Sequence, residues 1–523
     1  MTHDSSSDGD VLTSKSRADR STPWFLVSAF ALVHVVIHLA TNGNYGMFRD
    51  EFYYWDCANH LAWGYVDQPP LSIALLAGWK TVFGDSVDSL RVLPALCGAF
   101  VIVMIALIAR ELGGGRFAQA FAALAVAAIP SYLGITGFYS MNAFDLVFWT
   151  VGFYIVLRIV NDGRQILWIW LGLVLGLGLL NKISILVFGF SLILSMILTR
   201  HRRHLARPQF WIGVALAGLI FLPHVIWQIG NGWPTLEFIE NAKRNKIADI
   251  DLGGFLGAQA MEMGPTNLGI WVLGLLFLLI ARSMRRYQIF GWFFLITLIY
   301  FVVQKSKPYY LFSVYPVLFA AGAVLIERVA SLRRLGWIRP LAVLNVVIGL
   351  VIALPMAVPL LSVESYVAYT QRLGMAPSTS ENHELAELPQ FFADRFGWEE
   401  MVAEVAAVYE SLSDSDKARC GIVGRNYGET GAINYYGRRY GLPRAASQHN
   451  NYFLWGPGEM SGDVLIVVNY ARSDLEMVFE SVTLVTTLDL EYAMPYEANA
   501  PIYVCRGLRI PFDEAWRMGK SFI

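Results

Sequence analysis

Two adjacent carboxylates, Asp50 and Glu51, follow Arg49 in the run NYGMFRDEFYYWDC, directly after the first long apolar segment. An ionised pair at a membrane surface is costly to desolvate and is normally avoided there. Groups of this kind cluster where proteins do chemistry, so the triplet is a candidate site. The alternative is a solvated loop among interfacial aromatic side chains, which are common at this depth. Taken alone, the triplet leaves both interpretations open.

The composition is that of a membrane protein. The 523 residues are 55% hydrophobic and only 15% charged, with a mean hydropathy of +0.47, whereas soluble domains carry about 25% charged residues. The net charge of −1 provides no overall field that would attract nucleic acid, which we exclude as a partner. The four cysteines show no CxxC pair and no zinc spacing. Of these, Cys420 and Cys505 lie in the same C-terminal region and could form a disulfide or remain two buried thiols.

Apolar segments position the candidate residues. A spanning helix needs about 20 mostly apolar residues, and about eleven segments meet this requirement. They lie at residues 24–41, 89–109, 117–135, 141–158, 165–180, 183–199, 210–229, 267–281, 288–304, 308–327 and 338–360. The run 71–84 is shorter and follows Pro69-Pro70, which predicts an interfacial or re-entrant helix.

The arginines predict which loops face the cytoplasm. Residues 1–22 are polar and predict a disordered tail; if this tail is cytoplasmic, every arginine-rich loop falls on the cytoplasmic side. The opposite, outer face then receives loop 42–88 and everything after residue 361. The sequence thus predicts a transmembrane domain over 23–360 and an extracytoplasmic domain over 361–523.

Mixed sequence replaces apolar spans in the C-terminal region and predicts a small α/β domain. Amphipathic patterns favour helices at 384–395 and 398–412. Short β-branched runs favour strands, which we predict at 419–424, 463–469, 481–487 and 501–505. The glycines of GIVGRNYGETG do not match dinucleotide-binding spacing, so turns and close packing are the favoured explanation for them.

Three lysines on the predicted outer face indicate an anion site. Lys182 lies in a turn between two apolar spans, and Lys305 and Lys307 occur in QKSKPYYLFSVYP. Lysine suits phosphate, and phosphate at the headgroup level implies lipid. A single lysine would more commonly snorkel to the interface, but three in one compartment with a carboxylate pair favour anion binding. These groups suit a reaction in which a hydroxyl attacks the anomeric carbon of a sugar and a polyprenyl phosphate leaves. The carboxylate acts as the base for the hydroxyl, and the lysines stabilise the charge of the departing phosphate.

At these residues the sequence resembles the GT-C class of integral-membrane glycosyltransferases. This class includes the protein O-mannosyltransferases, the lipid A aminoarabinose transferase and relatives of the rhizobial galacturonosyltransferases. Four runs carry the resemblance and cover most of residues 24–330: RDEFYYWDCANHLAWGYVDQPPL, FYSMNAFDLVFW, LGLGLLNKISIL and QKSKPYYLFSVYP. The expected fold is a mainly α, polytopic, GT-C-like membrane protein of about eleven transmembrane helices, with interfacial helices and the C-terminal α/β extracytoplasmic domain.

The resemblance implies roles for individual residues. Asp50 would be the catalytic base, Glu51 would shape its site or contact the acceptor, and lysines would hold the donor phosphate. Many relatives carry an Asp where this chain has Asn142, so the second acidic role is expected to have moved to Asp145, one helical turn away. The predicted donor-phosphate group is Lys182, Lys305, Lys307, Arg49, Tyr309 and Tyr310. The predicted substrate cavity comprises His60, Gln68, Tyr139, Asn142 and Trp233. No firm cofactor or metal is implied, although a divalent ion at Asp50 and Glu51 is an open alternative.

The sequence therefore predicts an inverting hexosyl- or pentosyltransferase of the bacterial inner membrane. It would move a sugar from a polyprenyl-phosphate donor among the membrane lipids to a lipid, glycan or protein acceptor on the periplasmic face. The main alternative is a transporter or flippase of a lipid-linked sugar. Transporters tend to show inverted repeats and broken, charged midplane helices, whereas these spans are nearly charge-free and show no repeat. A non-catalytic scaffold for polysaccharide assembly is a third alternative.

Overall fold

The N-terminal part of the chain is a bundle of apolar helices. The computed structural model describes residues 21–245, 250–377, 381 and 384–523, so the predicted disordered tail lies almost wholly outside the described residues. Helices occur at each predicted span: Trp24–Thr41, Val92–Glu111, Arg116–Ala127 with Pro130–Ile135, Met141–Asp162, Leu167–Leu179, Ile185–Ile197, Pro208–Gly230, Leu268–Ile280, Gln288–Val303, Pro316–Ala330 and Ile338–Ala357. Within the described ranges, five helices are long and apolar enough to cross a membrane, or up to eight if each bent pair is one span. The predicted number of spans stays a prediction.

Two sharp bends bring chain segments to one end of the bundle. Leu252–Glu262 meets Pro265–Ile280 at 94°, and Pro308–Val314 meets Pro316–Ala330 at 57°. A proline lies at the start of the second segment in each pair, where its missing N–H is tolerated and its fixed φ suits a helix start. Further helices at this end are Arg49–Cys57, Leu71–Phe83, Val87–Leu90, Pro234–Asn245 and Val363–Arg372.

Glycine contacts set the spacing of the bundle. A Cβ atom added to Gly172 would overlap the backbone of Gly213, and one added to Gly274 would overlap the Leu318 carbonyl. Small residues of this kind let membrane helices approach closely without a hydrophobic driving force. A carboxylate fixes another contact, because Glu327 accepts hydrogen bonds from the N–H groups of Gly115 and Ala118 at 2.6 and 3.0 Å.

The C-terminal region contains a five-stranded mixed sheet in the order β2-β1-β3-β5-β4. The strands are β1 (Cys420–Gly424), β2 (Ala445–Ala446), β3 (Val464–Val468), β4 (Phe479–Thr487) and β5 (Pro501–Leu508). Strands β2, β1 and β3 are parallel, whereas β5 runs antiparallel to β3 and β4. The four predicted strands all occur, and only the two-residue β2 was missed. The free, buried thiols of Cys420 and Cys505 lie on β1 and β5, which β3 separates.

Short helices surround this sheet: Gln390–Ala393, Trp398–Glu410, Asp414–Lys417, Tyr427–Tyr436, Asn451–Trp455, Arg472–Val478, Pro495–Ala498 and Phe512–Met518. The helix predicted at 398–412 is present, but the one predicted at 384–395 is wrong, because only Gln390–Ala393 is helical. Pro389 precedes that turn as its extended N-cap, and Gly397 with φ +84° follows it. A proline is tolerated at the start of a helix but not in its interior. Pro389 therefore prevents a continuous helix over 384–395, and only the turn after it is helical.

Candidate active site

Asp50 lies in the first turn of the helix Arg49–Cys57, which we call the acidic helix. The helix begins after the extended residue Phe48, whose N–H donates to the Glu51 carboxylate at 2.8 Å. Carboxylates in a first turn are stabilised by the exposed N–H groups and the helix dipole. All residues of this fully described helix are buried except Asp50, which is half-buried. Asp50 is therefore the carboxylate of this helix that remains open to a reactant.

Glu51 is held by a buried ion pair. Arg91 contacts both carboxylate oxygens, with Nη2–Oε2 at 2.7 Å and Nε–Oε1 at 3.0 Å. Both side chains have 0% exposure, and Tyr139 N–H also donates to Glu51 at 2.8 Å. These contacts fit the site-shaping alternative for Glu51 rather than contact with an acceptor. The sequence did not predict a role for Arg91, although an arginine at the predicted outer end of a span is disfavoured by the positive-inside rule and could have indicated one.

A tyrosine of the C-terminal domain hydrogen-bonds to Asp50. The Tyr427 hydroxyl donates to Asp50 Oδ1 at 2.7 Å. Tyr427 begins the helix Tyr427–Tyr436, which we call the docking helix. A Cβ on Gly428 would lie 2.6 Å from Arg49 Cγ, and a Cβ on Gly431 would lie 2.7 Å from Phe52 Cβ. Both glycines thus permit close packing against the acidic helix, the use that the sequence favoured for this segment.

Lys182 lies in a cluster of polar and aromatic groups. Its ammonium donates to Asn142 Oδ1 at 2.7 Å and lies 3.9 Å from Asp145 Oδ2. The same Nζ lies 5.1 Å from the centre of the Tyr310 ring. Asp145 is only 2% exposed. It accepts hydrogen bonds from Ser184, Trp149 and Ser313 at 2.7, 3.1 and 3.2 Å. Asp145 therefore fixes its surroundings, including Lys182, rather than facing open space.

Lys307 pairs with a carboxylate and lies within electrostatic reach of Asp50. Its ammonium contacts Glu381 Oε1 at 2.5 Å. Burial acts to lower the pKa of Lys307, but Glu381, Tyr310 and Asp50 together raise it above the usual value. The Tyr309 and Tyr310 rings meet edge to face at 4.8 Å, with Lys307 over the first and Lys182 over the second. Lys307 and Lys182 thus lie on one continuous cation and tyrosine surface near Asp50. Lys305 is exposed, with φ +50°.

Arg49 contacts the C-terminal domain. Its Nη1 donates to the Tyr496 hydroxyl at 2.8 Å, and its Nε lies 3.7 Å from Glu497. The guanidinium also lies over the Tyr427 ring at 4.8 Å. Burial raises the pKa of Glu497 and of Asp394 to about 7, although Arg49 acts to lower both. The contacts with Tyr496, Glu497 and Tyr427 engage the Arg49 guanidinium in the C-terminal domain.

Four other predicted cavity residues make no hydrogen bond or ring contact with Asp50 among the residues described, although the Tyr139 N–H contacts the neighbouring Glu51. His60 stacks on Trp455 at 4.3 Å and lies beyond the opposite end of the acidic helix. His60 lines an open groove of about 670 Å³, whose other lining residues belong to the C-terminal domain. Asp50 does not line this groove. Gln68 and Tyr139 are completely buried. Trp233 is 43% exposed, and no hydrogen bond or ring contact joins it to Asp50 among the residues described.

The divalent ion at Asp50 and Glu51 stays a prediction. Arg91 and backbone N–H groups contact both oxygens of Glu51. Across the described part of the chain, no group of three or more His, Cys, Asp or Glu side chains is arranged to hold a metal.

Comparison with known proteins identifies the fold. Residues 67–227 match the family model of dolichyl-phosphate-mannose-protein mannosyltransferases. The structure is similar to ArnT from Cupriavidus metallidurans bound to undecaprenyl phosphate, with a TM-score of 0.61 and 15% identity over 92% of this chain and 98% of that chain. The apo state of that protein gives a TM-score of 0.58 and 16% identity over 92% of this chain and 97% of that chain.

A more distant similarity supports the same fold. The oligosaccharyltransferase of Archaeoglobus fulgidus, in a complex with Zn and sulfate, gives a TM-score of 0.51 and 13% identity over 85% of this chain and 68% of that chain. Among curated protein sequences, none matches this chain significantly. The predicted resemblance to the GT-C class is thus confirmed as a fold, and the apolar helices agree with a multi-pass membrane protein.

Proposed function

We propose that this membrane chain with the GT-C fold is an inverting glycosyltransferase. It moves a sugar from a polyprenyl-phosphate donor to a hydroxyl of a lipid, glycan or protein at the periplasmic face of a bacterial inner membrane. The observation that carries the proposal is a half-buried carboxylate, Asp50, within electrostatic reach of the lysine and tyrosine surface at Lys307. The undecaprenyl phosphate bound to the similar ArnT structure supports the donor class.

In the proposed reaction, Asp50 and the lysines have separate roles. Asp50 takes the proton of the acceptor hydroxyl as its oxygen forms a bond to the anomeric carbon. The bond from that carbon to the phosphate oxygen breaks on the opposite side, and the phosphate leaves with the electron pair. The donor is a phosphodiester, and the leaving group is the polyprenyl phosphate monoester; its oxygen is a much weaker base than an alkoxide, so it needs nearby positive charge rather than a proton. Lys307 and Lys182 supply that charge, and no second catalytic carboxylate is required, in contrast to a glycosidase.

The other predicted acids act by positioning. Asp145 orients Lys182 together with Asn142, through the contacts at 3.9 and 2.7 Å. Glu51, held by Arg91, fixes the first turn of the acidic helix and hence the direction of Asp50. The Glu381 carboxylate contacts the Lys307 ammonium at 2.5 Å. We infer that the donor phosphate takes the place of this carboxylate, since both are anions suited to the same ammonium group.

The proposal is tested by mass spectrometry of envelope lipids and glycans from a strain lacking the gene. A sugar-modified species is expected to disappear and to return with the wild-type gene. Purified protein in proteoliposomes should then transfer the sugar when donor and acceptor lie on the same leaflet. Envelope profiles that do not change would contradict the proposal, and movement of the lipid-linked sugar with no new glycosidic bond would establish the transporter alternative.

Lys307→Ala and Lys182→Ala are expected to weaken binding of undecaprenyl phosphate, each by about tenfold to a hundredfold, because each loses a charge-assisted contact worth about 1.5–3 kcal/mol. Binding is measured by titrating undecaprenyl phosphate into purified protein in detergent. Lys305→Ala is expected to have a smaller effect, since Lys305 is exposed.

Lys243→Ala is the matched control for these lysine variants. Lys243 lies in a helix that connects two apolar segments, is exposed, and contacts Gln304 at 2.8 Å. Its removal also deletes one positive charge but leaves the surface at Lys307 intact. If Lys307→Ala and Lys182→Ala both bind undecaprenyl phosphate as tightly as Lys243→Ala, the phosphate assignment fails.

A further inference from the structure

We propose that Tyr427 is a positioning residue for Asp50, so that the C-terminal domain completes the active site. The inference deepens the proposed function and rests on it. Among the described residues, Tyr427 is the one hydrogen-bond partner of the Asp50 side chain, with Oη donating to Oδ1 at 2.7 Å. A carboxylate held by one oxygen presents the other oxygen in a fixed direction, as a general base requires.

Tyr427 is itself fixed on several sides. Its ring packs against Tyr53 and against His449, each at 5.0 Å between ring centres. The Arg49 guanidinium lies over the same ring at 4.8 Å. The backbone N–H of Tyr427 donates to His449 Nδ1 at 3.1 Å. The side chain is only 8% exposed, and these contacts restrict the position of its hydroxyl.

The sheet topology explains why Tyr427 reaches the acidic helix. Tyr427 follows the carboxyl end of β1, which lies between the parallel strands β2 and β3. Loops at the carboxyl ends of parallel strands commonly carry the functional groups of such sheets. Asn426 caps the docking helix by accepting from the N–H groups of Gly428 and Glu429 at 2.8 and 3.1 Å. The first residue of the docking helix is thereby held in one conformation.

The C-terminal domain also holds the far end of the acidic helix. Asp56 is 1% exposed and accepts hydrogen bonds from Tyr452 at 2.6 Å, Asn434 at 2.7 Å and Arg444 at 2.8 Å. With Tyr427 on Asp50, both ends of the acidic helix are bound to the C-terminal domain. The position of Asp50 therefore depends on that domain, and the Tyr427 hydroxyl sets the orientation of the carboxylate.

Tyr427→Phe removes only the hydroxyl and is the variant that tests this role. Sugar transfer is measured with donor extract, as formation of the modified species that the envelope comparison identifies. We expect kcat to fall roughly tenfold, the factor corresponding to one hydrogen bond to a charged group, with KM for the donor and binding of undecaprenyl phosphate unchanged. A fall in kcat with an unchanged KM for the donor separates loss of the oriented carboxylate from loss of donor binding.

Tyr435→Phe is the matched control. Tyr435 lies on the same docking helix, and its hydroxyl donates across the same interface at 3.0 Å, but to the backbone carbonyl of Asp85. This variant should keep the wild-type kcat and KM. A kcat of Tyr427→Phe equal to that of Tyr435→Phe would overturn the inference, as would a loss of thermal stability with kcat unchanged. If the wild-type protein forms no glycosidic bond, the proposed function fails instead.

Discussion

Asp50→Asn is expected to abolish sugar transfer, with a loss of about a hundredfold to ten-thousandfold in kcat, the range that a positioned general base contributes. The amide has nearly the same shape as the carboxylate but is not basic, so the acceptor hydroxyl keeps its proton. The Asn oxygen can still accept the hydrogen bond that Tyr427 donates to Oδ1 at 2.7 Å in the native protein. Folding and binding of undecaprenyl phosphate should therefore be retained, as measured by the melting transition and by titration.

Asp88→Asn provides the comparison for Asp50→Asn. Asp88 is an exposed carboxylate in the short helix Val87–Leu90, within the same predicted outer loop. Its conversion removes the same charge from the same face and should leave turnover unchanged. Turnover at the wild-type rate in Asp50→Asn would exclude Asp50 as the base.

Arg91→Leu is expected to destabilise the protein by about 3–5 kcal/mol, the penalty for removing one partner of a buried ion pair. The variant leaves the Glu51 carboxylate buried and without its cation, since both side chains are 0% exposed. It also removes hydrogen bonds to the carbonyls of Asn42 and Gly46, which tie the acidic helix to the preceding loop. The measurement is the unfolding rate of purified protein in detergent, because large membrane proteins seldom unfold reversibly.

The exposed ion pair Arg472–Glu476 supplies the contrast for this prediction. Its side chains are 59% and 54% exposed, and Arg472→Ala should leave the unfolding rate close to that of the wild type, because solvent screens exposed pairs. The double variant Glu51→Leu/Arg91→Leu should recover part of the loss, because no uncompensated charge remains. Recovery stays incomplete, since the N–H groups of Phe48 and Tyr139 lose their acceptor. An Arg91→Leu variant as stable as Arg472→Ala would show that the buried pair does not hold the acidic helix.

Sequence patterns predicted local elements well. Apolar length placed helices at each span, and β-branched runs placed β1, β3, β4 and β5. They failed at 384–395, where alternating apolar residues pack into a small cluster with Leu388 and Phe392 without forming a long helix. Apolar periodicity reports which side chains are buried and does not by itself distinguish a helix from an irregular segment.

The candidate site was predicted in part. The association of Asp50 with Lys307 followed from the inferred topology, but the triplet Arg49-Asp50-Glu51 does not act as a unit. A helix rotates about 100° per residue, so consecutive side chains point in different directions. Arg49 contacts Tyr496, Asp50 contacts Tyr427 and Glu51 contacts Arg91. Local sequence could not assign these partners, because Tyr427 lies 377 positions from Asp50 along the chain.

That separation has a consequence for biosynthesis. The acidic helix is translated well before the tyrosine, asparagine and arginine side chains that hold Asp50 and Asp56, which follow it by 377 to 388 residues. A nascent chain that has inserted its first helices therefore lacks an oriented base until the sheet domain has been synthesised and folded onto the acidic helix. Under the proposed function, a chain without a folded sheet domain should therefore transfer no sugar, and two separately expressed halves should gain activity only when they associate.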